Sequence, residues 1–266
     1  RKNLLFTLII VFGLSVSIAT ILVICRYVIQ EYRTDTFHKE YNNIYMVMGI
    51  SPERSSSIVK EDWAEKFKSG YPQVKEACRM DRIRLDVIHT TGPIKLNNVL
   101  STDPSFFKIF SFPVIKGDQT NPLKESHSIV ITESIAKKLF GKEDPLGKVI
   151  KTKIDADENL LTVTAVTKDP PENSMIQFEA LVSFECKSFH YHSMSFSSKE
   201  KGIYQTIYLC DTYLLIHNKA NIQWMNDRLK KESYMENKDL GYFYFLQLHP
   251  YSEAYFDKNQ ADSFRH

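Results

Sequence analysis

Residues 4–25 read LLFTLIIVFGLSVSIATILVIC, twenty-two positions without a charge. As an α-helix rising about 1.5 Å per residue this run is about 33 Å long, and it matches a hydrocarbon core of about 30 Å. Soluble core helices seldom run so far without a charge. A cleaved export signal has a shorter apolar stretch, followed by small residues at a cleavage site. Here the run leads into Arg26-Tyr27-Val28-Ile29-Gln30-Glu31, which offers no such site. The segment is therefore predicted to span a membrane. Arg1 and Lys2 precede it, and cationic residues favour the cytoplasmic side, so the N-terminus is placed inside and the bulk of the chain outside. Gly13, Ser15, Ser17 and Ala19 are small enough to let another helix pack closely in lipid, although a lone span uses such residues too.

Charge excludes one class of partner. The chain has 34 Lys+Arg against 32 Asp+Glu, and Arg1 and Lys2 account for the whole excess. Gripping nucleic-acid phosphates needs a concentrated basic surplus, so no nucleic-acid partner is expected. A hydrophobic fraction of 43% supports a packed core rather than a disordered chain. Cys25, Cys78, Cys186 and Cys210 form no CxxC pair, which speaks against a disulfide framework or a cysteine zinc site. One disulfide among the last three is left open. No Asn-x-Ser/Thr sequon occurs.

Outside the span, Val28–Tyr41 reads as a continuation of the same helix. Ile44–Ile50 is β-rich, Ile58–Ser69 has helical spacing behind Ser55–Ser57, and Val74–His89 forms one or two strands that turn at Thr91-Gly92-Pro93. A second β-α-β pattern follows at Tyr204–His217, Ile222–Tyr234 and Tyr242–Leu248. The predicted fold class is α+β: the transmembrane helix with its flank (1–29), a split ferredoxin-like layer (30–93 and 186–266) and an inserted β-rich subdomain (94–185). Strands are expected in the insertion at Ile94–Leu100, Ser128–Ile131, Lys148–Ile154, Leu160–Lys168 and Phe178–Phe184. Helices are expected at Pro104–Phe110 and Glu133–Phe140, the latter capped by Thr132 and Gly141. Residues 187–202 are polar and read as a mobile loop.

No catalytic, cofactor or metal site emerges. Gly141 and Gly147-Lys148 miss the phosphate-loop spacing by one residue, and Val149 stands where Ser or Thr is needed, so they mark a turn. His190 and His192, with His127 or His217 nearby in type, lack a third fixed metal ligand. Asp155, Asp157 and Glu158 resemble half a calcium loop but read better as a charged hairpin tip. Glu133/Glu143 and Asp169/Glu172 read as solvated carboxylates. Tyr204, Tyr208 and Tyr242-Phe-Tyr-Phe245 read as sheet aromatics rather than a stacking platform.

Four stretches together resemble the MacB/FtsX-like permeases of ABC transporters, in the form common among Bacteroidetes. They are Glu31-Tyr32-x-x-Asp35-x-Phe37-His38-x-x-Tyr41-x-Asn43-Ile44-Tyr45; Asp103-Pro-Ser-Phe-Phe-x-Ile-Phe-Ser-Phe-Pro113, closing with Gly117-Asp118; Ser128-Ile-Val-Ile-Thr132-Glu-Ser-Ile-Ala136-x-x-x-Phe140-Gly141, running into Asp144-Pro-Leu-Gly147-Lys148; and Val163-Thr-Ala-Val166-x-Lys168-Asp169-x-Pro171-x-Asn173-Ser174, followed by Phe178. The resemblance implies an inner-membrane protein with a porter-type periplasmic core domain. It implies further membrane helices beyond His266, so the chain is expected to be a fragment. It also implies that ATP is hydrolysed by a separate cytoplasmic ATPase subunit, that a second permease copy or paralogue completes a dimer, and that a periplasmic adaptor or substrate joins them. No cofactor is implied. The coupling segment between span and domain is expected at Glu31, Tyr32, Asp35, Phe37, His38 and Tyr45. The alternative is a single-pass sensor with a periplasmic ligand-binding domain; a tethered periplasmic enzyme ranks below it for want of a catalytic constellation.

Overall fold

The computed structural model describes residues 3–51, 55–89, 92–154, 157–186, 193–198, 203–217, 220–239 and 245–255. Helix α1 runs from Leu4 to Tyr32, and its apolar side chains are exposed along most of its length. The hydroxyls within it return to the backbone one turn earlier: Ser15 donates to the Val11 carbonyl at 2.7 Å, Ser17 to Gly13 and Thr20 to Val16, each at 2.9 Å. A span in lipid needs that internal satisfaction, because no water competes there.

The continuation predicted to Tyr41 ends earlier, at Tyr32. Thr34 and Thr36 turn their hydroxyls onto the carbonyls of Glu31 and Arg33, and Asp35 adopts the left-handed region at φ 57°. A short 3-10 turn over Tyr41–Asn43 leads into β1 (Ile44–Ile50), β2 (Ser55–Ser56) and β3 (Ile58–Lys60). The predicted helix at Ile58 begins only at α2 (Trp63–Gly70), because β-branched Ile58 and Val59 pair with a later strand instead. Then come β4 (Val74–Val87), β5 (Ile94–Thr102), α3 (Phe106–Ile109), β6 (Val114–Gly117) and β7 (Ser128–Thr132). They are followed by α4 (Glu133–Phe140), β8 (Val149–Ile154), β9 (Asp157–Thr167) and β10 (Ala180–Ser183). The chain closes with β11 (Ser193–Ser198), β12 (Ile203–Ile216), α5 (Ile222–Asp239), β13 (Phe245–Pro250) and α6 (Tyr251–Ala254). The predicted loop over 187–202 thus contains a strand, with Ser193 opposite Tyr208 and Ser198 opposite Ile203. Its serines alternate with Met194 and Phe196, a period of two that the polar composition hid. Residues 187–192 and 199–202 lie outside the described residues.

One layer has the strand order β13-β1-β12-β4, all antiparallel. In order of appearance in the two β-α-β units this is 4-1-3-2, the split ferredoxin-like arrangement, with α2 and α5 on one face. Strand β1 is buried on both sides. Val47 joins Trp63, Phe67, Met225 and Leu229 beneath the helices, while Ile44, Met46 and Met48 meet Phe106, Phe110, Tyr213 and Tyr251 on the other face.

The segment between β4 and β12 closes on itself. β4 pairs with β5, β5 with β10, β10 with β7, β7 with β9, β9 with β8, and β8 again with β4. The strand directions agree around this six-stranded ring, and all six strands contribute to one apolar cluster, from Leu85 and Val99 through Ile129, Ile150, Val163 and Val182. Ile135 and Leu139 of α4 join it. Thr132 caps α4 by accepting the Ile135 N–H, and Gly141 ends it at φ 62°. The Gly141–Lys148 segment is a turn whose Gly147 N–H bonds the Val163 carbonyl at 2.8 Å. Cys25, Cys78, Cys186 and Cys210 form no disulfide.

Candidate functional site

The end of α1 meets the domain at Asp35. Its carboxylate is fully buried and accepts three hydrogen bonds: from Ser174 Oγ at 2.5 Å, from the Met175 N–H at 3.0 Å and from Tyr251 Oη at 2.9 Å. A left-handed residue with a Cβ costs about 1–2 kcal/mol. Hydrogen bonds to a charged acceptor contribute about 1.5–3 kcal/mol each, which offsets that strain. The negative charge is felt around it. Burial, then Asp35, raises the Tyr41 hydroxyl above its ordinary value, and the same two causes push Tyr251 well above it.

His38 completes the node. The Ser111 N–H donates to its Nδ1 at 3.0 Å, which assigns the ring proton to Nε2. That nitrogen faces Asp35 Oδ1 at 3.6 Å, too far for a hydrogen bond but close for a buried charge. The ring sits 4.1 Å from Phe37, 5.3 Å from Phe110 and 5.2 Å from Phe112 between centroids.

Of the six predicted coupling residues, Asp35, Phe37 and His38 come together here. Glu31 lies one turn before, and its carboxylate accepts the Tyr255 hydroxyl. Tyr32 stays 71% exposed at the end of the helix. Tyr45 does not join them: it points off the opposite face of β1, beside the helix-covered core. Sequence reasoning omitted Ser111, Asn173, Ser174, Tyr251 and Tyr255. Three of these lay inside motifs already quoted, 103–113 and 163–174, so convergence of the motifs was the available signal. Tyr251 and Tyr255 carried none.

A cleft of about 510 Å³ beside α2 and α3 is lined by a structural charge network. Arg79 bonds Asp103 at 2.7 Å and Glu185 at 2.8 Å, while Lys68 and Lys108 both reach Glu76. Glu143 is held below the usual carboxylate value by its bond to Lys148 on an exposed turn. His190 and His192, Asp155, and Tyr242 to Tyr244 lie outside the described residues, as does the side chain of Tyr204. Phe245 is half-buried with the Lys230 ammonium 4.4 Å above its ring. Asp157 and Glu158 sit at the tip of the β8–β9 hairpin.

A family profile described as the MacB-like periplasmic core domain matches residues 7–231. Three solved structures are similar in fold. A domain of a candidate permease protein from Porphyromonas gingivalis has 19% identity and a TM-score of 0.61, over 80% of this chain and 92% of that one. The periplasmic region of MacB from Actinobacillus actinomycetemcomitans has 13% identity and a TM-score of 0.54, over 79% and 90%. The extracellular domain of the noncanonic ABC-type transporter YknZ from Gram-positive bacteria has 16% identity and a TM-score of 0.53, over 78% and 100%. No curated protein matches the chain.

Proposed function

The chain belongs to the MacB-like periplasmic core domain family of ABC transporter permeases, and from that premise we propose that it carries ATP-driven motion from the membrane into the periplasm. Members of this family work with ABC ATPases. In this reading a separate cytoplasmic ATPase subunit supplies the energy, a second permease copy or paralogue completes the transporter, and the periplasmic face meets an adaptor or substrate. Among the described residues α1 is the one inner-membrane span, with the main domain periplasmic. Residues 30–93 and 186–266 act as the porter-like part and 94–185 as its insertion.

The observation that carries the reading is the Asp35 node. One carboxylate at the end of a 29-residue helix is bonded to the segment after β9 and to α6, so a shift of α1 reaches both together. Glu31, Phe37 and His38 brace it; Tyr32 and Tyr45 belong to the same coupling segment at its margins. Two conformations within a few kcal/mol of each other suffice for nucleotide to shift their balance. The role asks for no catalytic group in this chain.

The test is hydrogen exchange on the intact permease with its ATPase, with and without ATP. Nucleotide should change protection at residues 173–178 and in β1 and β13 of the wild type. In Asp35→Asn that response should vanish while ATP is still hydrolysed. A response that survives in the variant overturns the coupling role.

A further inference from the structure

The outer end of α1 carries charges that the coupling node does not use. Arg26 is the first residue beyond the uncharged run, and Ile29, Gln30 and Arg33 follow on the same helix face at spacings of three, four and seven. With Glu172 and Asn173 these four line a shallow, solvent-open cavity of about 430 Å³. Its walls are tied together: the Asn173 side-chain amide donates to the Arg33 carbonyl at 3.1 Å, and the Asp35 N–H donates to the Asn173 carbonyl at 3.3 Å. Among the described residues neither guanidinium, nor the Glu172 carboxylate, is engaged in an ion pair or side-chain hydrogen bond.

Position decides what such a cavity meets. Arg26 and Arg33 lie about 10 Å apart along the helix axis, and a headgroup layer is about 5–7 Å deep on each side of the hydrocarbon. Both arginines therefore stand at or just above headgroup level. Cationic residues on this side run against the cytoplasmic bias that orients spans, so the orientation of the span does not account for them. Arginine is suited to the task, since its planar fork grips phosphate oxygens two at a time.

We propose that this cavity holds the headgroup of a membrane phosphatidylethanolamine, with its phosphate between Arg26 and Arg33 and its ammonium on Glu172. Two cations and one carboxylate around a single cavity complement a ligand that carries both signs side by side. Ile29, between the arginines, lines the same cavity. The lipid would pin the helix end at a fixed depth, one turn below the Asp35 node.

The proposal rests on α1 crossing the membrane, and the test separates the two. Flotation of the full chain with liposomes reports the span: a wild type that stays in solution overturns that reading, and the lipid site with it. Native mass spectrometry of the detergent-solubilised chain, titrated with phosphatidylethanolamine or phosphatidylglycerol, reports the site. The wild type should retain phosphatidylethanolamine in preference to phosphatidylglycerol. Arg26→Gln/Arg33→Gln should weaken retention about tenfold while still floating, and Glu172→Gln should remove the preference between the two lipids. Unchanged retention in the double arginine variant overturns the site. A preference that survives Glu172→Gln overturns the headgroup assignment, and displacement of the lipid by excess inorganic phosphate would make the ligand a soluble phosphate instead.

Discussion

The carboxylate of Asp35 accepts the hydroxyl of Tyr251 at 2.9 Å across 216 residues of sequence. The bond joins the first residues after the membrane helix to α6, near the other end of the described chain. With Ser174 and the Met175 N–H on the same carboxylate, one side chain fixes three distant segments. A buried charge so placed specifies register: any other arrangement leaves a carboxylate or its donors unsatisfied.

Removing that acceptor should be costly in graded steps. Asp35→Ala strands three buried donors and places a Cβ-bearing residue without a compensating bond at positive φ, for a loss of about 3 kcal/mol or more. Asp35→Asn tolerates the backbone and keeps one acceptor, so the loss should be about 1–2 kcal/mol. Urea unfolding of the detergent-solubilised chain measures both. Two variants indistinguishable from wild type would mean that the node does not hold the fold.

Arg79 and Asp103 form a bidentate pair that is only 22% and 14% exposed. Burial opposes the charge on Arg79, yet the bonds it donates to Asp103 and Glu185 outweigh that and hold the guanidinium charged. Asp103→Ala should cost about 3 kcal/mol, because it leaves the guanidinium without its main partner. Glu185 is 66% exposed, so Glu185→Gln should stay within about 0.5 kcal/mol. Equal effects would refute the distinction between the two contacts.

Two glycines at positive φ should respond differently to alanine. A Cβ on Gly117, at φ 88°, would lie 2.8 Å from the Ala165 Cα and collide with the Thr164 carbonyl, both in rigid backbone. At Gly141, φ 62°, nothing lies within 4 Å. Gly141→Ala should cost about 1–2 kcal/mol from the backbone alone, and Gly117→Ala several times more. Thermal melts that order them the other way would contradict the packing.

Stability should fail on the alkaline side. Burial, then Asp103, pushes the Cys78 thiol from 9.0 to about 12, and burial first of all raises Tyr213 and Tyr251 well above 10.0. Each folded-state value lies above its unfolded one, so the folded chain holds these protons more tightly. Their contribution is whole below about pH 9 and is lost as pH rises, first for the thiol and then for the tyrosines, at about 1.4 kcal/mol per pH unit for each group in its window. Tyr251→Phe should soften the fall above about pH 10. A fall already complete below about pH 8 would point to other groups.

Local order explains what could be read in advance. Leu4–Cys25 declares a span because length and absence of charge are properties of the segment alone. Ile44–Ile50 and Glu133–Phe140 fall where their residues place them, since a short β-rich apolar run and a Thr132/Gly141 cap pair act within a few residues. The two β-α-β units were legible in the same way. Where local signals competed, pairing decided: Ile58–Lys60 became a strand because β12 was available to it, and Ser193–Ser198 because its neighbour in the hairpin was.

The candidate site divides along the same line. Asp35 and His38 stood in a recognisable stretch, but nothing local distinguishes a buried carboxylate from a solvated one, and Tyr32 and Tyr45 stood there equally. Closure of the β4–β5–β10–β7–β9–β8 ring, and the meeting of residues 35, 111, 174 and 251, depend on contacts between segments tens to hundreds of residues apart. Sequence determined the span, most elements and the family. Tertiary structure alone decided which side chain in the coupling segment carries the load, because burial and hydrogen-bond partnership are set by what packs against a residue and not by its neighbours in the chain.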